Sequence, residues 1–181
     1  MAQGIYASEI DNAIIYGNSI KVTSGGAAYG VGTDYLTNSD ISNNNIEISS
    51  SGQMAYGITA TTSGSDITIS NNDVKATGIG AVGVGINNQT GAEIADNTID
   101  IEGGDYTTIT SSDSLGTANA GILVGVGNTD VEISGNDVTE KSAVRLDTAI
   151  EASDVTVTAA PSGNGNLEIT LKTVSGMLLA N

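Results

Sequence analysis

Hydrophobic and polar residues alternate in short segments along the chain, and the alternation recurs with the motif Ile-x-x-Asn-x-(Ile/Val). Its five copies place an asparagine at Asn18, Asn44, Asn72, Asn97 and Asn136. Counted from the asparagine, positions −3, +2 and +4 are apolar in nearly every copy, and the positions between them are polar. A period of two residues is typical of β-strands, whereas a helix needs about 3.6. The pattern therefore predicts strands on both sides of each asparagine.

A second marker, a glycine followed by an aliphatic residue, keeps the same spacing. Its five copies begin at Gly4, Gly30, Gly57, Gly83 and Gly121. Successive glycines are 26, 27, 26 and 38 residues apart, and each lies 14 or 15 residues before its asparagine. Two markers with one period predict a repeat of about 26 residues that holds two or three short strands. Because such a unit cannot bury its apolar side alone, the copies are expected to stack into a solenoid.

The repeat predicts a single all-β domain over residues 1–181 with about six stacked coils. The long step contains about 12 extra residues, which we interpret as a loop insertion at about 103–118. The last coil, 149–181, is irregular: Ala149-Ile150 is expected at the marker position, and Gly165 replaces the asparagine. Its last strand is expected to contain Leu167, Ile169 and Leu171.

Each asparagine is expected at a sharp corner between two strands. Asparagine and glycine tolerate a positive φ better than other residues, which predicts that conformation at the asparagines themselves. Stacking then forms a buried asparagine ladder along one corner. Position +3 is expected to point outward, and its column reads Lys21, Glu47, Lys75 and Asp100. Opposite charges on neighbouring coils favour this register.

The two markers and the asparagine column resemble the right-handed, single-stranded parallel β-helix of pectate-lyase-like proteins and of many bacterial and archaeal surface proteins of the adhesin type. The resemblance covers the chain from about Gly4 to Leu171. It implies a fold but no single function, because the same coil serves lyases, hydrolases, adhesins and assembly proteins. The family's lyases use calcium on carboxylates with an Arg or Lys base, and its hydrolases use Asp near a His. This chain has no His and a single arginine, Arg145.

Charge and composition exclude several classes of function. The chain has 5 Lys and Arg against 21 Asp and Glu, a net charge of −16, so we expect no nucleic-acid partner. Without His or Cys, it lacks the residues for thiolate or imidazole zinc sites and for Cys or His catalysis. No run of 18 apolar residues is present, which predicts no membrane span.

The remaining candidate chemistry consists of carboxylates and tyrosines. Glu93 and Glu132 fall in one column on adjacent coils, where a carboxylate pair fits either acid–base work on glycosides or a calcium site. Asp100 and Asp105 are further candidate calcium ligands, and calcium is the one cofactor that the sequence leaves open. Tyr29 and Tyr56 each precede a marker glycine on neighbouring coils, a position suited either to stacking sugar rings or to filling a corner.

Two classes of function remain open from the sequence. The first is a non-enzymatic structural protein, extracellular or at the cell surface, that stacks head to tail because neither end of the solenoid has a recognisable cap. The residues expected at the contacting ends are Gly4, Ile5, Leu167, Ile169, Leu171, Leu178 and Leu179. The second is a module that binds or processes polysaccharide. A chain excised from a longer β-helix also accounts for uncapped ends.

Overall fold

The structure, a computed structural model of the chain, describes residues 1–103, 119–125, 127–139, 144–146, 155–158 and 169–171. The described residues form three parallel sheets that run along the three sides of a solenoid. This confirms the predicted all-β parallel solenoid with stacked coils.

The strands of successive coils stack side by side in these sheets. Sheet 1 contains β1 (Ala2–Ser8), β4 (Ala28–Asp34), β7 (Met54–Thr61), β10 (Gly80–Ile86), β14 (Ala120–Val124), β17 (Val144–Leu146) and β19 (Ile169–Leu171), in that order. Sheet 2 contains β2 (Ile14–Tyr16), β5 (Thr37–Ser42), β8 (Gly64–Ser70), β12 (Glu93–Ala95), β15 (Val131–Ser134) and β18 (Val155–Thr158), and the short β11 (Gln89–Thr90) also pairs with β8. Sheet 3 contains β3 (Ser19–Ser24), β6 (Asn45–Ser50), β9 (Asp73–Gly78), β13 (Thr98–Gly103) and β16 (Asp137–Val138).

Coils 1 to 5 each place a strand in all three sheets, and the steps between them make about four turns. The count is slightly lower than the six coils predicted. Beyond coil 5, β17 and β18 continue sheets 1 and 2, and β19 continues sheet 1. Apart from Gly103, which ends β13, the expected loop insertion lies outside the described residues.

The register of the sheets follows the apolar columns. Ile15, Ile41, Ile69, Ile94 and Ile133 lie opposite one another in sheet 2, as position −3 predicts. In sheet 3 the equivalent row is formed by the residues at position +2. In sheet 1 it is formed by the aliphatic residues that follow the marker glycines. All three rows point inward and form one continuous hydrophobic core. The sequence period thus sets which residues meet inside the solenoid.

Glycine is required in the marker column because sheets 1 and 3 approach closely there. A Cβ added at Gly57 would collide with the side chain of Val74 and with the carbonyl oxygen of Gly83. Gly4, Gly30 and Gly83 face equivalent contacts from the +2 residue of their own coil. The marker therefore identifies a position where sheet 3 leaves no room for a Cβ in sheet 1.

The asparagine corner differs from the prediction in one respect. The positive φ lies one residue before the ladder asparagine: it is 68° at Gly17, 55° at Asn43, 54° at Asn71, 54° at Asp96 and 65° at Gly135. The expectation that the ladder asparagines adopt this conformation is therefore wrong. The preceding column contains only Gly, Asn and Asp, the residue types that best tolerate a left-handed backbone.

The end of the chain also differs from the predicted alignment. The sheet 1 strand after coil 5 is β17, so Val144, not Ile150, occupies the marker position opposite Ile122. Ile169 and Leu171 lie in β19 of sheet 1, opposite Val144 and Leu146, and not in a strand that follows the asparagine corner. In sheet 2, Val157 lies opposite Ile133 and continues the −3 column. Leu167, Leu178 and Leu179 lie outside the described residues.

Candidate functional site

The asparagine ladder is the most regular polar feature of the described residues. Asn44 and Asn72 are each only 1% exposed. The Oδ1 atom of Asn72 accepts hydrogen bonds from the backbone N–H and the Nδ2 of Asn44, at 3.0 and 2.9 Å. Its own Nδ2 donates to Asn97 Oδ1 at 2.9 Å and to the Ile41 carbonyl at 2.8 Å. This confirms the predicted buried asparagine ladder, whose amides bond to one another and to the backbone.

The ladder has a direction. In all four steps, the N–H and Nδ2 of one asparagine donate to the Oδ1 of the asparagine in the following coil, at 3.0 and 2.9 Å. The ladder begins at Asn18, whose Oδ1 accepts no hydrogen bond from the described residues. Its Nδ2 donates to Asn44 and to the carbonyl of Tyr16. The end at coil 1 therefore presents an unpaired acceptor.

The outward charge column also has the predicted arrangement. Lys21 pairs with Glu47 at 2.8 Å, and Lys75 pairs with Asp100 at 3.3 Å and with Glu102 at 3.4 Å. The Asp100 and Glu102 carboxylates accept hydrogen bonds from Lys75 and raise its pKa. Because these side chains are exposed, each pair adds little to stability and mainly favours the register.

The candidate calcium ligands do not form one site in the described residues. Glu93 and Glu132 lie directly opposite each other in sheet 2, as their column predicts, and both are exposed. Asp100 lies in sheet 3, where Lys75 and the Thr139 hydroxyl bind its carboxylate. No group of three His, Cys, Asp or Glu within the described ranges is placed to hold a metal ion. Asp105 lies outside those ranges, and calcium binding stays a prediction.

The two predicted tyrosines form a stack on the outer face of sheet 1. Tyr29 and Tyr56 lie opposite each other in β4 and β7, with ring centroids 4.9 Å apart and ring planes 13° from parallel. Tyr56 is buried and Tyr29 is half-buried. A groove of about 290 Å³ opens beside the stack, and Gln3, Tyr6 and Asp34 are among the residues that line it.

Asp34 and Tyr6 add a polar cluster to this groove that the sequence did not predict. The Tyr6 hydroxyl donates to Asp34 Oδ2 at 2.7 Å, and the hydroxyls of Thr61 and Thr62 donate to Asp34 Oδ1. Partial burial raises the pKa of Asp34, but the three hydrogen bonds outweigh it and hold the pKa below its usual value. Counting from the glycine marker was the available signal, since Tyr6 is two residues after Gly4 and Asp34 four after Gly30.

These features define a parallel β-solenoid repeat protein with an asparagine ladder and an aromatic groove on one side. No known protein family, curated protein or solved structure matches the chain. In the part of the chain that the structure describes, no helix has the length and hydropathy needed to cross a bilayer.

Proposed function

We propose that the chain is a non-enzymatic structural protein, extracellular or at the cell surface, whose copies stack head to tail into a fibre. The open first coil is the observation on which the proposal depends. The strands β1, β2 and β3 each pair with a single neighbouring strand, in coil 2. An unpaired strand edge of this kind is a template for another chain.

The surface of coil 1 supports the same proposal. Large apolar side chains are exposed there, including Ile14 at 75% and Tyr16 at 62%. The core residues of this coil retain slight exposure, with Ile15, Ile20 and Val22 at 8 to 9%, whereas Ile41 and Ile46 in coil 2 are fully buried. A further coil stacked on this end would bury apolar area and continue each core column, which stabilises association.

The two ends of sheet 1 favour a head-to-tail contact. β1 is one edge of this sheet and β19 is the opposite edge, and all pairs between them are parallel. A second copy in the same orientation would add its last strand beside β1 and extend the parallel sheet. Such a contact is heterologous and builds a fibre unless its rotation closes a ring.

The asparagine ladder distinguishes this arrangement from a head-to-head dimer. In a head-to-tail contact, a group of the next copy would donate a hydrogen bond to Asn18 Oδ1. Asn18 itself donates to Asn44 Oδ1 in the same way. In a head-to-head contact that brings these corners together, two Asn18 oxygens face each other without a hydrogen atom between them. An acceptor left buried and unpaired costs about 1–3 kcal/mol.

Ile14 is the best position for a test, because its N–H faces the open end. The residues opposite and further along its column, Asp40 and Glu132, each donate their backbone N–H to the preceding coil, at 2.9 Å. The same geometry directs the Ile14 N–H out of coil 1. Ile14→Pro removes this donor without removing a bond inside the chain, and Ile14→Lys places a charge on the edge.

The control is Thr68→Lys, which adds the same charge in the same column of coil 3. Sedimentation velocity and electron microscopy over a concentration series measure the assembly. We expect fibres from the wild type and from Thr68→Lys, and single particles that keep the wild-type circular dichroism spectrum from both Ile14 variants. A wild-type chain that stays monomeric at every concentration would refute the proposal, as would an Ile14→Lys variant that forms fibres normally.

A further inference from the structure

The open side of the tyrosine stack has the features of a ligand platform. One face of the Tyr29 ring is covered by Tyr56, in coil 3. The opposite face is directed towards coil 1, where Gln3 lies opposite Tyr29 in the sheet. The Gln3 amide lies against Gly32, where an added Cβ would collide with it. The groove therefore opens over one face of the Tyr29 ring, whose other face is stacked on Tyr56.

Among the side chains that line this groove, Asp34 is the only one that carries a charge, and the other polar side chains are uncharged hydrogen-bonding groups. Its carboxylate is fixed by the hydroxyls of Tyr6, Thr61 and Thr62, and its lowered pKa keeps it ionised at neutral pH. The Gln3 side chain makes no hydrogen bond with any described residue, so its amide is available as a donor and an acceptor. A few fixed polar groups around an aromatic surface are what orient a small ligand.

We propose that this groove binds a neutral pyranose ring, stacked on the free face of Tyr29 with its hydroxyls bound to Asp34 and Gln3. The C–H groups on one face of a pyranose carry partial positive charge and match the negative face of the tyrosine ring. A sugar hydroxyl donates to the Asp34 carboxylate in a charge-assisted hydrogen bond. The volume of about 290 Å³ lies near the lower end for ligand pockets, roughly 300–1,000 Å³, and suits one ring.

Charge selects neutral sugars over uronic acids. A uronate would bring a second carboxylate close to the ionised Asp34, in a chain whose net charge is −16. Repulsion between the two carboxylates disfavours binding of the uronate, and the negative charge of the whole chain disfavours it further. The proposed ligand is therefore a neutral hexose unit of a glycan and not polygalacturonate.

Saturation-transfer NMR and calorimetry test this proposal with methyl glucoside, methyl galactoside, methyl mannoside, galacturonate and tetramethylammonium as probes. The titrations use the full chain carrying Ile14→Lys, so that any assembly does not affect the signal. We expect saturable binding of at least one neutral glycoside and none of galacturonate. Tyr29→Ala should weaken binding at least about tenfold, whereas Tyr29→Phe keeps the aromatic face and the affinity.

Tyr16→Ala is the matched control, because Tyr16 is an exposed tyrosine on sheet 2, away from the groove. It should leave the affinity unchanged, and Asp34→Asn should weaken binding without abolishing it. Three outcomes would each overturn the proposal: no saturable binding of any neutral glycoside, equal affinity in Tyr29→Ala, or tighter binding of galacturonate or tetramethylammonium. None of these readouts depends on fibre formation, so the two proposals fail independently.

Discussion

Replacing Asn72 by leucine tests whether the asparagine ladder stabilises the solenoid through its hydrogen bonds. The substitution keeps a buried side chain of similar size and removes both amide groups. Two buried backbone groups lose their described side-chain partner at once: the Asn44 N–H, which donates to Asn72 Oδ1, and the Ile41 carbonyl, which accepts from Asn72 Nδ2. Asn97 Oδ1 is less affected, because the backbone N–H of residue 72 still donates to it at 3.0 Å.

The magnitude follows from these two groups. A buried donor or acceptor left without a partner costs about 1–3 kcal/mol, so the pair costs about 2–6 kcal/mol. Burial of the more apolar leucine returns about 1.5–3 kcal/mol. We expect a net loss of about 2 kcal/mol in the free energy of unfolding, which lowers the melting temperature of a chain of this length by roughly 4–8 °C.

Thermal and urea unfolding followed by circular dichroism measure the effect against two controls. Asp73→Ser changes the exposed neighbour and should stay within about 0.5 kcal/mol of the wild type. Asn18→Leu, with all variants measured in the Ile14→Lys background so that no second copy covers coil 1, should also cost little, because no described residue donates to Asn18 Oδ1 and the backbone N–H of residue 18 still donates to Asn44 Oδ1. Equal losses at positions 72 and 18, or no difference between Asn72→Leu and Asp73→Ser, would refute the hydrogen-bond explanation.

Three further predictions concern packing, surface charge and acid stability. Gly57→Ala should destabilise the chain by about 1–3 kcal/mol because its Cβ meets Val74, whereas Gly25→Ala, with open space around it, should not; comparing the two urea midpoints checks this. Lys75→Met should lower the urea midpoint slightly at low salt, and the loss should vanish in 1 M NaCl (a Debye length of about 3 Å); equal losses at both salt concentrations would contradict it. Because the folded-state pKa of Asp34 is lowered, its contribution to stability is present above the usual carboxyl range and is lost as the pH falls through that lower pKa. Asp34→Asn should therefore show a smaller loss of melting temperature below about pH 4 than the wild type.

The sequence was sufficient to predict the fold because each coil repeats the same physical constraints. An inward aliphatic residue, a glycine under the opposite sheet and an asparagine at the corner each recur with one period. Ile41, for example, lies opposite Ile15 and Ile69 as the period requires. Lys21 and Glu47 meet for the same reason. In a solenoid, residues that are one repeat apart in the sequence lie next to each other in neighbouring coils. A correct repeat length therefore gives the register of all three sheets.

The features that were wrong or missed are those that the period does not determine. The residue before each ladder asparagine has the left-handed backbone. The Gly, Asn and Asp residues at this position are consistent with that conformation, but the sequence prediction assigned it to the ladder asparagines. The chain after coil 5 lacks both markers, so the sequence did not predict that Val144 occupies the marker position. The groove depends on Tyr6 and Asp34, which occur in single coils and bond across them. Counting from the glycine marker places these two residues near each other, but no repeated column indicates that their side chains make contact.

The same repetition connects the fold to the proposed assembly. Each coil is held to its neighbours by parallel strand pairing, by continuous core columns and by the Asn-to-Asn hydrogen bonds, and none of these depends on the coils belonging to one chain. Among the described residues all three interactions stop together at coil 1: β1 has one unpaired edge, Ile15 is slightly exposed and Asn18 Oδ1 accepts no hydrogen bond. A second copy that supplies a coil in the same orientation would restore all three at once, which couples their free energies and makes the contact selective for register and direction. A contact in the opposite orientation can restore pairing and burial at most, because the ladder runs from donor to acceptor in one direction only.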